Sequence, residues 1–361
     1  MNSDHQAPAA GATPVVRSSY TVTQGDARRD RDRVLTTWQE CGDEFSAAFS
    51  NGGQRYDWFY LLNPAGTGDV FFLEHTQSGK TVGFVGVGAR EFRLNGSKAR
   101  AGLLIDFIVH PDHRAFFPAL LLQRFACRTA RAKYDLLISY PNANAAPLMR
   151  RVGGFEDVSQ VRFARAIEFS SYLQRWMPKW LARAVSAPFS AADRIVHGWR
   201  RRSHSRVRTQ WRDEFDQRYS MLWPDTDRAD LSVGVRDQSF LQWRFVGRQQ
   251  HKYRILEILL EGSDRLQGYF VCEFMGAMLL VADAWLSGDM ELQVGALLAL
   301  VTEARSFGIG VVSIGIVGGS MLQEAMRFAG FSKRDAKRVL VSGPALARCH
   351  AWYLTLADSD V

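Results

Sequence analysis

The chain repeats itself, and that repetition limits the folds open to it more than any other feature. Trp58 precedes Gly83 by 25 residues, and Trp243 precedes Gly268 by the same 25. Asp106, in the apolar run LLIDFIV (103–109), precedes Gly154-Phe155 by 48 residues; Asp283, in LLVADAWL (279–286), precedes Gly330-Phe331 by 47. VGFVGVG (82–88) and QGYFVCE (267–273) each read as the second strand of a hairpin, with turns at QSGK (77–80) and EGSD (261–264). A helix-period stretch follows in both halves, at 118–133 and 291–307. A short strand comes next (135–140, 310–316), then a brief helix (145–152, 320–329), then Gly-Phe. The main difference in length is the second hairpin, long in the first half (90–102), where an insertion costs little.

A length of 361 residues suits two cores rather than one. With 47% hydrophobic and 23% charged residues, most of the chain is expected to fold. Residues 1–19 lack the basic start and apolar stretch of a secretory signal and read as a loose tail. No apolar run is long enough to cross a bilayer. Cys41, Cys127, Cys272 and Cys349 are scattered without metal-ligand spacing, which argues against a disulfide framework or a structural zinc site and fits a reducing cytoplasm. The net charge of +8 comes from residues 170–212, where ten Arg or Lys against one acid, Asp193, give +9 and leave the rest of the chain near −1. A generally basic, nucleic-acid-binding fold is therefore disfavoured.

In its quoted motifs the chain resembles the GNAT N-acetyltransferase superfamily. VHPDHRAFFPALLL (109–122) is similar to that family's strand, V-x-P-x-x-R-x-x-G-x-G/A turn and long helix, and PNANAAPLMRRVGGF (141–155) to its N-x-x-A-x-x-L-Y-x-x-x-G-F signature. The second half, through RDQSFLQWRF (236–245), resembles the companion domain of bacterial tandem GNAT proteins, some of them associated with exopolysaccharide or envelope gene clusters. The likeness covers about residues 20–165 and 210–342. It implies an α/β fold of two GNAT-like domains in tandem, each a mixed, mostly antiparallel twisted sheet flanked by helices. The expected organisation is a tail (1–19), an acyl-CoA-binding domain (20–168), a basic amphipathic linker (169–209), a degenerate second domain (210–345) and a C-terminal tail (346–361).

A helix start offers unpaired backbone N–H groups and the positive end of the helix dipole, which together suit a diphosphate. The resemblance puts that site at 108–119, with Ile108, Val109, Arg114, Ala115, Phe116, Phe117 and Ala119 as cofactor-binding residues. Arg114 and Ala119 keep the family's positions; Phe117 stands where a glycine is usual, and Pro118 removes one donor. Asn142 and Asn144 are candidates for holding the amides of a pantetheine arm, or equally turn formers. Asp106, among apolar neighbours, is a candidate base, or else a structural carboxylate. The family's tyrosine acid is replaced by Met149 or Arg150, leaving Tyr140 as the candidate acid for the leaving thiol. His110 and His113 lack a third ligand at metal-binding spacing and read as surface or phosphate-side residues. In the second half the corresponding turn, LSGDMEL, carries Asp289 and Glu291, which repel phosphates.

Residues 170–185 repeat Trp176 and Trp180, and Arg175, Lys179 and Arg183, at helical spacing. The segment reads as a linker that packs its tryptophans between the domains, with peripheral contact of 170–208 to an anionic membrane surface as the alternative. The expected function is an acyl-CoA-dependent acyltransferase acting on an amine or hydroxyl of a small molecule, sugar or envelope precursor. It is expected in the cytoplasm or at the inner membrane face. The alternatives are a catalytically inactive scaffold at a membrane surface and an aminoacyl-tRNA-dependent aminoacyltransferase.

Overall fold

The computed structural model describes residues 19–41, 52–168, 176–204, 207–222, 231–247, 252–349 and 351–359. The tail expected over 1–19 lies, apart from Ser19, outside them, as does Arg175. An antiparallel meander opens the fold: β1 (Tyr20–Gly25), β2 (Asp69–His75), β3 (Thr81–Leu94) and β4 (Ser97–Val109), with α1 (Arg31–Cys41) and α2 (Gly52–Tyr56) between the first two strands. Helix α3 (Phe116–Arg131) then returns the chain to β5 (Leu136–Ser139), parallel to β4; α4 (Ala145–Val152) and β6 (Glu156–Ala166) follow. After α5 (Lys179–Ser203) the same order recurs with one strand added. It runs through β7 (Val207–Arg212), α6 (Gln217–Leu222), the added β8 (Leu231–Gly234), α7 (Gln238–Leu241), β9 (Tyr253–Leu260), β10 (Leu266–Met275) and β11 (Met278–Leu286). Helix α8 (Met290–Ser306) leads to β12 (Val311–Gly318), parallel to β11, and α9 (Ser320–Phe328) to β13 (Ser332–Ser342).

Local chemistry explains these elements. Leu122, Ala126, Cys127 and Ala130 recur at helical spacing, and this stripe buries α3 on the sheet. Helix α8 is apolar nearly all round because it is covered on a second side by α5. Residues Asp57–Leu61 form a single wide π-turn whose aromatic rings lie on β3. Glycine makes that possible: a Cβ at Gly86 would sit 1.8 Å from the Tyr60 hydroxyl, and one at Gly88 2.2 Å from the Phe59 ring.

The two stretches interlock. The strand after each Gly-Phe pairs with the other stretch: β13 lies against β5 (Leu340 opposite Ser139), and β6 lies against β12 (Ile314 opposite Phe163). β5 and β12 would otherwise each present an unpaired edge, and the exchange covers both. The repeated tryptophans meet where the stretches join. Their rings stack at 4.8 Å, Trp58 Nε1 donates to the Trp243 carbonyl (2.8 Å), and Trp243 Nε1 donates to that of Trp58 (2.9 Å).

The C-terminal residues do not trail as a tail. They form β14 (Ala351–Leu354) and a 3-10 turn, Leu356–Asp358, whose Asp358 is fully buried. β14 pairs with β12 and β8, and β8 with β3, which closes an eight-stranded barrel of β3, β4, β5, β13, β6, β12, β14 and β8 within a 14-stranded sheet. A net-neutral buried cluster fixes this closure. Arg236 reaches Asp283 (3.1 Å) and Asp358 (2.6 Å), and Arg90 reaches Asp358 (3.1 Å). Burial alone would raise the pKa of Asp358, but Arg236 and Arg90 hold it below the usual carboxylate range.

The basic segment also departs from expectation. Helix α5 faces the body with Ala182, Ser186 and His197 and turns its tryptophans outward: Trp180 and Trp199 are each 71% exposed. They do not fill an interface between the halves.

Candidate functional site

Two neighbouring parallel strands, β4 and β5, end beneath the amino termini of two helices, α3 and α4. Their pairing stops at Leu104 and Ser139, whereas β4 runs on to Val109. A crevice outside the carboxyl ends of adjacent parallel strands is where α/β sheets receive ligands. The parting coincides with a bulge: the register of β4 against β3 slips between Ile105 and Ile108, and Asp106 takes a positive φ of 53°.

Asp106 is held tightly there. Both its oxygens accept from Arg55, at 2.7 Å each, and Oδ2 also accepts from the Tyr60 hydroxyl at 2.7 Å. The Arg55 and Asp106 side chains are 4% and 3% exposed. Burial, and then the neighbouring Asp106, push the Tyr60 hydroxyl well above its usual pKa, so it stays a donor. The candidate base is thus the anchor of a buried ion pair that supports the bulge. Sequence reading missed Arg55 and Tyr60, although one signal was present: a carboxylate alone in an apolar strand requires a buried partner.

The turn after β4 is braced by its own residues. The His110 amide donates to the Val82 carbonyl (2.8 Å), and the Tyr20 hydroxyl meets His113 Nδ1 (3.0 Å). Burial, followed by His75 and His110, lowers the pKa of His113. Among the described residues no three His, Cys, Asp or Glu gather as a metal-binding set. Arg114, expected to meet phosphate, instead donates Nε to the Val109 carbonyl and Nη2 to that of Cys41, both at 2.9 Å. It ties the end of β4 to the end of α1 and has a structural duty.

Helix α3 then starts without a side-chain cap, from an extended Ala115 (φ −109°, ψ 160°). Phe116 and Phe117 are its first two residues, and neither has a positive φ. Both residues are 57% exposed. First-turn amides have no partner inside a helix, so those of Phe116 and Phe117 are the donors this end offers; Pro118 has none. The Ala119 amide makes only a long 3.4 Å bond to the Ala115 carbonyl. Ile108 and Val109 are buried beyond the bulge, opposite Phe84 and Gly83.

Across the crevice, Asn142 is spent locally: its Oδ1 accepts from the amides of Asn144 (3.1 Å) and Ala145 (2.9 Å), shaping the start of α4. That is the turn-forming role. Asn144 is exposed and makes no capping bond of its own. Tyr140, directly after β5, is half-buried with its hydroxyl fully buried, and packs against the cluster that contains Trp58. Met149 is buried in the core beneath α3. A separate hollow of about 370 Å³ lies at the opposite, amino-terminal ends of β4 and β5, beside Lys98, Arg100 and Asp135.

The second stretch has the same parting, but it is filled. β11 and β12 pair only through Met278–Val281 and Val311–Ile314, and β14 takes up the space beyond. Leu354 pairs with Val317, the Tyr353 hydroxyl donates to the Ala284 carbonyl, and Thr355 Oγ1 donates to Asp283 at 2.6 Å. A Cβ at Gly318 would fall 1.6 Å from the Trp352 carbonyl oxygen, so strand and helix start are in direct contact. The start of α8 is also occupied, because Asp289 accepts from the Leu292 amide (2.9 Å).

The fold matches solved structures of N-acetyltransferase type. A conserved protein of unknown function from Enterococcus faecalis V583, described as a probable N-acyltransferase, superposes with a TM-score of 0.63 at 10% identity, covering 92% of this chain and 74% of that one. A GCN5-related N-acetyltransferase from Anabaena variabilis ATCC 29413 gives 0.60 at 12% identity, covering 89% and 72%. Another from Kribbella flavida gives 0.54 at 13%, covering 90% and 71%. Identities this low show the fold alone. No family's sequence signature and no curated protein matches the chain.

Proposed function

We propose that the chain is an acyl-CoA-dependent acyltransferase built from two GNAT-like units. In this reading residues 20–168 bind the thioester in the β4–β5 crevice, and the second unit is a degenerate partner that completes the body. The single observation that carries this is the asymmetry of the two partings: no strand enters between β4 and β5 beyond Leu104 and Ser139, whereas the counterpart beneath α8 is occupied by β14.

The residues present fit a diphosphate. The unpartnered amides of Phe116 and Phe117 and the positive end of a 16-residue helix suit its negative charge. The edge of β4 beyond Leu104, with the backbone of Ile108 and Val109, suits the amides of an extended pantetheine arm and a developing oxyanion. Bound there, an acyl-CoA supplies an activated thioester, whose carbon–sulfur bond breaks as the acceptor nitrogen or oxygen bonds the acyl carbon and whose sulfur leaves with a proton. Tyr140, directly after β5, would give that proton to the sulfur and recover one from the acceptor. Asp106 orients β4 through Arg55 rather than taking a proton from the acceptor.

The acceptor is an amine or hydroxyl of a small molecule, sugar or envelope precursor. Calorimetric titration with acetyl-CoA and longer acyl-CoAs tests the reading. Saturable binding is expected; failure of every thioester to bind leaves a scaffold and removes the transferase.

A further inference from the structure

Helix α5 has its polarity reversed for a surface helix. Its inward side is polar: His197 Nε2 meets Thr302 Oγ1 (3.0 Å), and Asp193 bonds Arg165 (3.2 Å) and Arg305. Its outward side carries Trp180, Ile195 and Trp199, exposed by 71–73%. These residues span most of a 25-residue helix, about 37 Å long at 1.5 Å per residue. Trp176, 85% exposed, extends the same apolar character just before it. Isolated exposed apolar groups need no explanation, but a row of this length marks a surface meant to be covered.

The chemistry of the rim selects what covers it. Lys179, Arg194 and Arg202 are exposed beside the row, and Asp193, the one acid between residues 170 and 212, is already spent on two arginines of the body. Two copies of so cationic a face repel each other, whereas an anionic bilayer meets both features at once. Tryptophan rings settle at the headgroup level, aliphatic side chains enter below them, and arginines reach the phosphates. No described helix is long and apolar enough to cross a membrane, so the geometry is that of a helix lying in the interface plane.

We propose that α5 docks the protein on an anionic lipid bilayer. This stands apart from the acyl-transfer reading, since it uses none of the crevice residues. The test is flotation of the full chain with vesicles of phosphatidylcholine alone and of phosphatidylcholine with phosphatidylglycerol in equal parts. Wild type is expected to float with the anionic vesicles and about tenfold less with the neutral ones, the difference shrinking in high salt. Ile195→Asp with Trp199→Asp is expected to abolish flotation while leaving the thermal unfolding midpoint unchanged, because both side chains are solvent-exposed. Wild type that stays unbound, or a double variant that floats as well as wild type, overturns the proposal. So does a lipid-free dimer that the double variant dissolves, which assigns the face to a second copy.

Discussion

Replacing Asp106 by asparagine preserves its shape and its tolerance of a left-handed backbone, and removes only charge. The guanidinium of Arg55 is then left 4% exposed with no carboxylate at the two 2.7 Å contacts it now makes. Breaking a buried pair on one side costs about 3–5 kcal/mol, a large share of the roughly 5–15 kcal/mol that holds a typical domain together. Residual attraction of Arg55 to the Trp38 and Phe59 rings, at 5.4 and 5.9 Å, offsets little of this. Chemical denaturation of Asp106→Asn, Arg55→Met and the double variant measures it. The double variant is expected to be more stable than the sum of the singles by about 2 kcal/mol or more, because it strands no charge. If Asp106→Asn loses less than about 1 kcal/mol yet abolishes turnover, the carboxylate is a free base and the structural assignment falls.

Two further outcomes follow from the packing. Burial, then the cations Arg305, Arg165, Arg201 and Arg200, push the pKa of His197 down to about 3. A histidine depressed on folding lets the unfolded chain bind more protons, so stability is complete above an unfolded pKa of about 6.5 and falls as pH drops toward the folded one. At pH about 4.5 wild type is expected to have lost about 1–3 kcal/mol that His197→Gln does not lose, read by denaturant titration at the two pH values. Tyr140→Phe is expected to lower turnover about a hundredfold with KM little changed, followed as free thiol released from acetyl-CoA in the presence of aminosugar acceptors; unchanged turnover removes Tyr140 from the chemistry.

Much of the fold was legible because local pattern encoded it. The stripe of α3 was expected over 118–133 and lies at Phe116–Arg131, and the hairpin turns at 77–80 and 261–264 fall between β2 and β3 and between β9 and β10. The strand exchange was not legible: a half-buried strand has the same alternation whichever partner lies beside it, and β6 and β12 join residues far apart in sequence. The C-terminal segment lacks a period, and the burial of Asp358 depends on Arg90 and Arg236, far upstream. Arg114 and Asn142 stand at the motif positions, yet their hydrogen bonds are made with backbone groups, including the distant Cys41 carbonyl, which no motif shows. The apolar stripe of the basic segment reads as packing between the domains because that is the ordinary case for such a linker, yet Trp176 and Trp180 are exposed, and a helical period shows which residues share a face but not what that face meets.

The account stands on the open crevice beneath α3 being the one thioester site. Phe117→Glu addresses it directly, because one carboxylate has opposite effects on fold and ligand. At a helix start it stabilises α3 by about 0.3–1 kcal/mol, whereas beside a diphosphate it repels. Calorimetry is expected to give one acyl-CoA per wild-type chain and binding weakened about tenfold or more in Phe117→Glu, with thermal stability equal or higher. Two thioesters per chain, or affinity untouched by the substitution, contradicts the account.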